Sequence, residues 1–264
     1  MGLAASERFY AAFQFDGIPP KAFNAFFLPD VLLVAMLSVV RGYRRSVGLE
    51  YVILGAFGYA ALYCLNATIL TGSGALPTTL MLLGLAFNGF LVFGNQSFRS
   101  STSPSVVVNG VKTMVQIVCV WFITLVVFPY LLLTAFGELT WPPPAGRLIV
   151  AIGVFALSSA LGLSAAWVMV RDGEGTPLPL DQTNRLVIVG PYRYVRNPMA
   201  VAGVGQGLSV ALAFGSWAVM VYALLGGLLW QLVVRPLEEA NLEERFGEDY
   251  RRYRERVRCW WPGK

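Results

Sequence analysis

Long apolar segments with few polar residues inside them make up most of the chain. Several approach or exceed the roughly 20 residues that a helix needs to cross the hydrocarbon core of a bilayer. The pattern predicts an all-α, polytopic membrane helix bundle with about seven apolar segments, at residues 26–40, 48–70, 76–97, 112–136, 146–170, 199–214 and 217–234. Only Gly215 and Ser216 separate the last two segments, so these are predicted to form a tight helical hairpin.

A different pattern follows the hairpin, at about residues 236–258. Pro236 suits the first position of a helix. Residues three or four apart then form one stripe: Glu238, Leu242, Phe246, Tyr250, Tyr253 and Val257. The stripe predicts an amphipathic helix on the cytoplasmic surface of the membrane, with Trp260 and Trp261 at the headgroup level.

Glu238 is an acid on a stripe that should be apolar, and Glu239 lies about 100° further round the helix. Carboxylates in the first turn of a helix stabilise its dipole, which is one explanation for the pair. The other explanation is functional: the two acids face a cavity near the membrane surface.

The basic residues follow a clear topology. All but three of the 20 lysines and arginines come after the first, third, fifth or last apolar segment, and the exceptions are Arg8, Lys21 and Arg147. By the positive-inside rule, the N-terminus is outside, and the loop at about residues 171–199 and the C-terminal tail are cytoplasmic. Residues 1–25 lack the basic start and apolar middle of a signal peptide. Because topology explains the net charge of +5, no nucleic-acid partner is expected.

Composition narrows the possible chemistry. Charged residues make up 13% of the chain, and soluble domains carry about twice that fraction. The sequence has no histidine, the commonest general base and metal ligand. Cys64, Cys119 and Cys259 are too far apart in sequence to form a Cys-x-x-Cys pair. A zinc, haem or redox-disulfide enzyme is therefore not expected.

The loop before the hairpin contains two arginines on a stiff backbone. Its two prolines fix φ near its ends, and Asn197 is pushed towards an extended conformation because Pro198 follows it. Arg193 and Arg196 can each hold a carboxylate or phosphate with two hydrogen bonds. A basic flank of a membrane helix is the structural alternative. We expect this loop and the acid-bearing helix to form one site.

Two further features argue against other classes of protein. Residues 203–207, Gly-Val-Gly-Gln-Gly, have glycines spaced as in a dinucleotide-binding fingerprint, but no strand precedes them. Glycines in an apolar segment are more typical of close helix packing. The chain has no detectable internal repeat, so a transporter of the inverted-repeat kind gains no support.

The loop and the tail resemble two motifs of integral-membrane methyltransferases. The first is Gly190-Pro191-Tyr192-Arg193-Tyr194-Val195-Arg196-Asn197-Pro198-Met199, followed by a helical hairpin. The second is Glu238-Glu239, then Leu242, Phe246-Gly247-Glu248-Asp249-Tyr250, Tyr253, Arg256-Val257 and Pro262. The families are the isoprenylcysteine carboxyl methyltransferases and, more distantly, the phospholipid N-methyltransferases. The resemblance covers about residues 112–264. It predicts a methyltransferase core at residues 111–264, after a three-helix membrane segment of unknown role at residues 1–110.

The resemblance implies an S-adenosylmethionine-dependent enzyme without a Rossmann domain. Its cofactor would lie at the cytoplasmic face, between the loop and the C-terminal helix, and a lipophilic substrate would enter from the bilayer. The implied catalytic residues are Arg196, Glu238 and Arg256, with Arg256 orienting the acceptor. The implied cofactor-binding residues are Gly190, Pro191, Tyr192, Arg193, Asn197, Pro198, Glu239 and Tyr250. Asn197 replaces the histidine of the best-known relatives; it can donate and accept hydrogen bonds but cannot titrate.

Methyl transfer from a sulfonium chiefly needs positioning, which supplies roughly 7–11 kcal/mol of a barrier. Carboxylates and aromatic faces favour the cationic sulfonium. A carboxylate acceptor needs no base, whereas an amine, thiol or phenol must lose a proton, and no histidine is present to take it. The residues therefore favour a carboxylate or another acceptor that is already ionised, and the resemblance implies that the carboxylate is isoprenylcysteine-like.

Other functions are left open by the sequence. Within methyltransferases, the acceptor alternatives are a phospholipid amine and a thiol. An NADPH-dependent sterol-type membrane reductase shares a similar C-terminal helical core. A non-enzymatic lipid-binding or transport protein is disfavoured because the apolar segments contain almost no charge. The expected partners are the lipophilic substrate and membrane lipids, with no metal.

Overall fold

The computed structural model describes residues 7–19, 22, 30–44, 46–93, 99–103, 105–178 and 181–262, and its elements are helices. The first is α1, Glu7–Phe13. The second, α2, is a π-helix at Asp30–Met36 that continues as an α-helix at Leu37–Tyr43. The others are α3 Val47–Thr71, α4 Ala75–Phe93, α5 Val106–Ala135, α6 Ala145–Gly173, α7 Pro198–Phe214 and α8 Trp217–Arg256. A 3₁₀ turn at Gly190–Arg193 precedes α7.

The predicted all-α class is confirmed. In the described part of the chain, strand-like pairing is limited to two isolated bridges, Ser100 with Gln182 and Thr176 with Gln182. The start of the first predicted segment (26–29), the end of the third (94–97) and the N-terminal residues 1–6 lie outside the described residues.

Five of the described helices, α3, α4, α5, α6 and α8, are long and apolar enough to cross a membrane. Helix α7 has 17 residues, or about 26 Å, slightly less than the roughly 30 Å of a hydrocarbon core. The described part of α2 is shorter still. The seven predicted apolar segments thus become five helices of spanning length and two shorter ones. This is an integral membrane protein.

Helix α8 departs from the predicted break at Pro236. Val234 has φ −71° and ψ −49°, so Pro236 lies inside a continuous helix rather than opening a new one. A π-helical stretch at Trp230–Val234 widens the turn just before this proline. The wider turn leaves room for the proline ring and accommodates the lack of a backbone N–H at this position. The 40 residues of α8 make about 60 Å of helix in all, interrupted at Gly247, against the roughly 30 Å of a hydrocarbon core. Its charged half, from Arg235 onwards, therefore lies outside the hydrocarbon.

The predicted apolar stripe faces protein rather than lipid. Tyr250, Tyr253 and Val257 are buried in one cluster, and Leu186 of the loop packs against it. The helix leaves regular geometry at Gly247, whose φ of 51° and ψ of −122° only glycine readily adopts.

The chain forms two compact units. One comprises the described residues of Met1–Ser97 with Thr134–Gly137, and the other those of Phe98–Leu133 with Glu138–Lys264. The predicted boundary at residue 110 falls inside α5.

The first unit contains a polar network. Its Arg41 donates to Glu50 at 3.1 Å and to Asn88 at 2.6 Å, linking α2, α3 and α4. The second unit holds α6, α7 and α8, together with most of α5.

Glycines let the helices of the second unit approach closely. A Cβ on Gly207 would lie 2.8 Å from the Cβ of Ala223, and one on Gly205 would overlap Ser158. A Cβ on Gly203 would meet nothing within 4 Å. Close packing, as predicted for this glycine-rich stretch, therefore applies to Gly205 and Gly207.

A matched pair of alanine substitutions tests this packing. A Cβ added at Gly226 would meet nothing within 4 Å. At such an open helical position, alanine stabilises a helix by up to about 1 kcal/mol relative to glycine. At Gly207 the overlap with Ala223 costs about 1–3 kcal/mol, which outweighs that gain. We expect Gly207→Ala to lower the apparent melting temperature in detergent, and Gly226→Ala to leave it unchanged or raise it. Equal effects at the two positions would contradict the close approach.

Candidate active site

The loop before α7 begins at a position that requires glycine. Gly190 has φ +59°, and a Cβ there would lie 2.9 Å from a methyl carbon of Val168 on α6. Pro191 then occupies the start of the 3₁₀ turn, where its fixed φ is compatible with the backbone. The turn buries Tyr192, whose carbonyl oxygen accepts a 2.7 Å hydrogen bond from the Tyr253 hydroxyl of α8.

Asn197 links the start of α7 to α8. Its Oδ1 accepts from the backbone N–H of Ala200 at 2.9 Å, the usual N-cap bond, and Pro198 occupies the first helical turn. Its Nδ2 donates to Oε2 of Glu238 at 3.3 Å. The cap fixes the orientation of the amide, because flipping it would turn Nδ2 towards a backbone donor.

Arg196 holds the loop against α8. One guanidinium nitrogen, Nη2, pairs with Glu239 at 3.0 Å, and Nη1 donates to the carbonyl of Arg254 at 3.1 Å. The backbone N–H of Arg196 also donates to the carbonyl of Arg258 at 2.9 Å. The side chain is only 10% exposed. Removing one partner of such a buried pair is strongly destabilising. Arg196 therefore stabilises the conformation of the loop in addition to contributing a positive charge.

The two adjacent glutamates have different environments. Glu239 pairs with Arg196 and, at 2.9 Å, with Arg235. Glu238 forms no ion pair with any described residue, and the amide of Asn197 is its hydrogen-bond donor. Burial, with a smaller contribution from the charge of Glu239, raises the pKa of Glu238 to about 7. At neutral pH, Glu238 therefore exists in both protonation states.

These groups line a space of about 390 Å³, which we call the charged cavity. Its polar lining includes Tyr192, Arg196, Asn197, Glu238, Glu239 and Arg245. Two buried donors there, the hydroxyl of Tyr192 and Nε of Arg196, have no hydrogen-bond partner among the described residues. Buried donors normally have partners, so these two are candidates for contact with a ligand.

A second space of about 170 Å³, the apolar cavity, adjoins the first. None of its described lining residues is charged, and Trp121, Gly203 and Gln206 are among them. Val120, Pro177, Leu178 and Met199 line both cavities. The structure thus joins a charged compartment to an apolar one formed by α5, α6 and α7.

The structure brings together some of the residues predicted for the site. Six of them line the charged cavity: Tyr192, Arg196, Asn197, Glu238, Glu239 and Tyr250. Gly190, Pro191 and Pro198 do not line it but shape the backbone of the loop. Arg193 and Arg256 are exposed and are not part of its lining. The functional roles of all eleven stay predictions.

Sequence reasoning did not select Arg235 and Arg245, which also line the cavity. Arg235 lies four residues before Glu239, a spacing typical of a helical ion pair, so a signal was present. Arg245 donates to Gln182 at 2.9 Å, to Ser100 at 3.3 Å and to the carbonyl of Thr183. These partners are distant in sequence, and no local spacing points to them.

Comparison with known proteins gives one family. Residues 146–249 match the phospholipid methyltransferase family, and this range includes the loop and both glutamates. A similar relative is an uncharacterized protein of Haemophilus influenzae, 39% identical over 57 residues, which cover 20% of this chain and 90% of that protein. No solved structure matches the chain.

The environment of Glu238 predicts a dependence of stability on pH. Because its pKa is higher in the folded protein (about 7) than in the unfolded chain (4.5), the unfolded chain ionises first. Folding stability should therefore fall as pH rises through this interval and level off above it. Glu238→Gln removes this loss, on the order of 2–3 kcal/mol between pH 5 and pH 8. Melting temperatures at the two pH values, with the exposed Glu244→Gln as control, check this. An unchanged pH dependence in Glu238→Gln would contradict it.

Proposed function

We propose that the protein methylates a lipophilic acceptor with S-adenosylmethionine as the donor, because residues 146–249 match the phospholipid methyltransferase family, as the loop and tail motifs predict. The coarser part, a membrane methyltransferase, follows from the family itself. The donor and the acceptor are our proposal. The observation that carries it is the junction of a charged cavity with an apolar one.

The residues of the charged cavity suit S-adenosylmethionine. This molecule has a sulfonium, an ammonium and a carboxylate, and, when bound, it supplies an electrophilic methyl group. Glu238, which forms no ion pair with a described residue, can stabilise a cationic group. The hydroxyl of Tyr192 and Nε of Arg196 can donate to acceptors on the ligand. The Tyr250 ring adds an aromatic face favourable to a cation.

The apolar cavity supports a lipophilic acceptor. Its apolar, uncharged lining matches a hydrocarbon chain better than a water-soluble substrate. Because four residues line both cavities, a chain in the apolar cavity would bring its polar end towards the charged one. Holding two reactants in this way supplies the positioning that methyl transfer requires.

Two classes of acceptor are proposed. The lack of histidine favours an isoprenylcysteine-like carboxylate, which needs no base. However, the three arginines that line the cavity are already engaged: Arg196 and Arg235 by Glu239, and Arg245 by Gln182 and its neighbours. A carboxylate would have to compete for them. A phospholipid amine is the second candidate, favoured because Glu238 has no guanidinium partner among the described residues.

We further propose that the charged cavity faces the cytoplasm. The loop at about residues 171–199, the second half of α8 and the tail after it carry 12 of the 20 lysines and arginines, and such residues favour the cytoplasmic side. Under this topology the N-terminus is outside.

The donor proposal is tested by calorimetric titration with S-adenosylmethionine. We expect a dissociation constant in the micromolar to millimolar range that is ordinary for enzyme substrates. Arg196→Lys keeps a charge for Glu239 but loses Nε and the planar fork, so affinity should fall at least about tenfold. Arg193→Lys is the matched change on the same loop, at an exposed position. The loop motif predicts a role for both arginines, whereas the geometry predicts an effect of Arg196 alone.

The results that would contradict the donor proposal are equally specific. If NADPH stabilises the purified protein against heating and S-adenosylmethionine does not, the reductase alternative replaces it. If Arg196→Lys folds and binds the donor as the unmodified protein does, the charged cavity is not the donor site.

The acceptor proposal is tested by filling the apolar cavity. Gly203 lines it, and a Cβ there would meet nothing within 4 Å, so Gly203→Leu should fold and occupy the space. We expect methyl transfer to fall at least about tenfold, because the acceptor loses its position, while donor affinity is unchanged. Gly153→Leu, at an exposed helical position with equally open space, is the control.

The assay follows radiolabelled methyl groups into vesicles that contain either phosphatidylethanolamine or S-farnesyl-N-acetylcysteine. The labelled lipid identifies the acceptor class. Equal transfer by the two leucine variants would contradict an acceptor route through the apolar cavity.

A further inference from the structure

Two neighbouring carboxyl groups in one cavity have different contacts. Glu239 pairs with Arg196 and Arg235, at 3.0 and 2.9 Å. Glu238 is half-buried and receives one amide N–H, from Asn197. Two neighbouring acids in such different environments can have different roles in a site.

The other titratable groups around Glu238 do not compete with it for proton exchange. On the loop side they are Tyr192 and Arg196, on its own helix Arg235, Arg245, Tyr250 and Tyr253, and on the tail Cys259. Burial raises the pKa of each of these tyrosines and of the Cys259 thiol, so all of them stay neutral at physiological pH. The arginines stay charged. Helices α5 and α6 contribute only Val120 and Met169 to the lining.

The charge of a bound donor would act directly on Glu238. An opposite charge within about 4–6 Å typically lowers the pKa of a carboxyl group by 1–3. A sulfonium bound that close to Glu238 would be such a charge, and the charge would disappear when the methyl group leaves, because the product is a neutral thioether. Glu238 would then become more basic at the moment when the acceptor has a proton to release.

We propose that Glu238 is the proton-exchanging group of this site, losing its proton when a cationic methyl donor enters the charged cavity and taking up the proton that a protic acceptor releases. This rests on the proposed function. In the balanced step, an acceptor X–H forms an X–CH₃ bond, the C–S bond breaks with its electron pair on sulfur, and the proton passes from X to a Glu238 oxygen. The absence of histidine therefore does not exclude an amine or thiol acceptor.

The test compares proton release on binding two ligands that differ by the methyl group and the sulfonium charge. Purified protein is titrated at pH 7 with S-adenosylmethionine and with S-adenosylhomocysteine, each in two buffers of different ionisation enthalpy. Because Glu238 is about half protonated at that pH, the sulfonium ligand should release about 0.3–0.5 proton more than the thioether. Glu238→Gln should remove this excess. Glu244→Gln, at an exposed position on the same helix, should retain it.

A second measurement needs no variant. If the sulfonium favours ionised Glu238, affinity for S-adenosylmethionine relative to S-adenosylhomocysteine should rise about five- to tenfold between pH 6 and pH 8. A ratio that does not change with pH overturns the inference even where Glu238→Gln fails to fold.

The outcomes separate this inference from the proposed function. If both ligands bind and the excess proton release is the same in Glu238→Gln as in the unmodified protein, Glu238 is not the exchanging group, and the donor proposal stands. If neither ligand binds the unmodified protein, the proposed function fails, and the inference fails with it.

Discussion

The attachment of a short loop to the charged half of α8 is the constraint on which the site depends. Arg196 carries most of it, through Glu239, the carbonyl of Arg254 and a backbone bond to Arg258. A buried guanidinium needs its hydrogen bonds, and the loop cannot move away from the helix without breaking several at once. With the loop fixed, the acids of α8 and the buried hydroxyl of Tyr192 surround the same space.

Helix α8 contributes both to the apolar part of the protein and to the charged cavity. Helix α8 runs from apolar Trp217 to Arg256, so its apolar half and its acids belong to one element. The π-helical stretch at Trp230–Val234 lies at the change between the two halves, and Trp230 also lines the charged cavity. Trp260 packs edge-on against Trp230, at 5.2 Å between ring centroids, and its indole N–H donates to Gln231 at 2.7 Å. These two contacts hold the tail against the π-helical stretch.

The sequence predicts the helical class, the hairpin at Gly215-Ser216 and the coming together of loop and acids, because apolar length, charge and local stiffness encode these features. It does not predict that α8 continues through Pro236, since the π-helical widening has no simple sequence signal. The site was predicted in part. Arg193 and Arg196 look alike in sequence. Because their side chains point in different directions, Arg193 is exposed to solvent, whereas the side chain of Arg196 is only 10% exposed. Arg245 was missed because its partners come from distant segments.

Asn197 performs two tasks with one side chain, and few residues could replace it. Aspartate would cap α7 equally well but would bring a second negative charge towards Glu238. Serine or threonine could cap the helix, but a hydroxyl that accepts from Ala200 is too short to extend to the carboxylate as well. The asparagine amide offers a terminal acceptor and a terminal donor on a short stem, and a neutral histidine, which the best-known relatives have here, also offers one of each. The need to cap α7 and to donate to Glu238 with one side chain therefore favours a partner that is uncharged, whatever ligand the cavity binds.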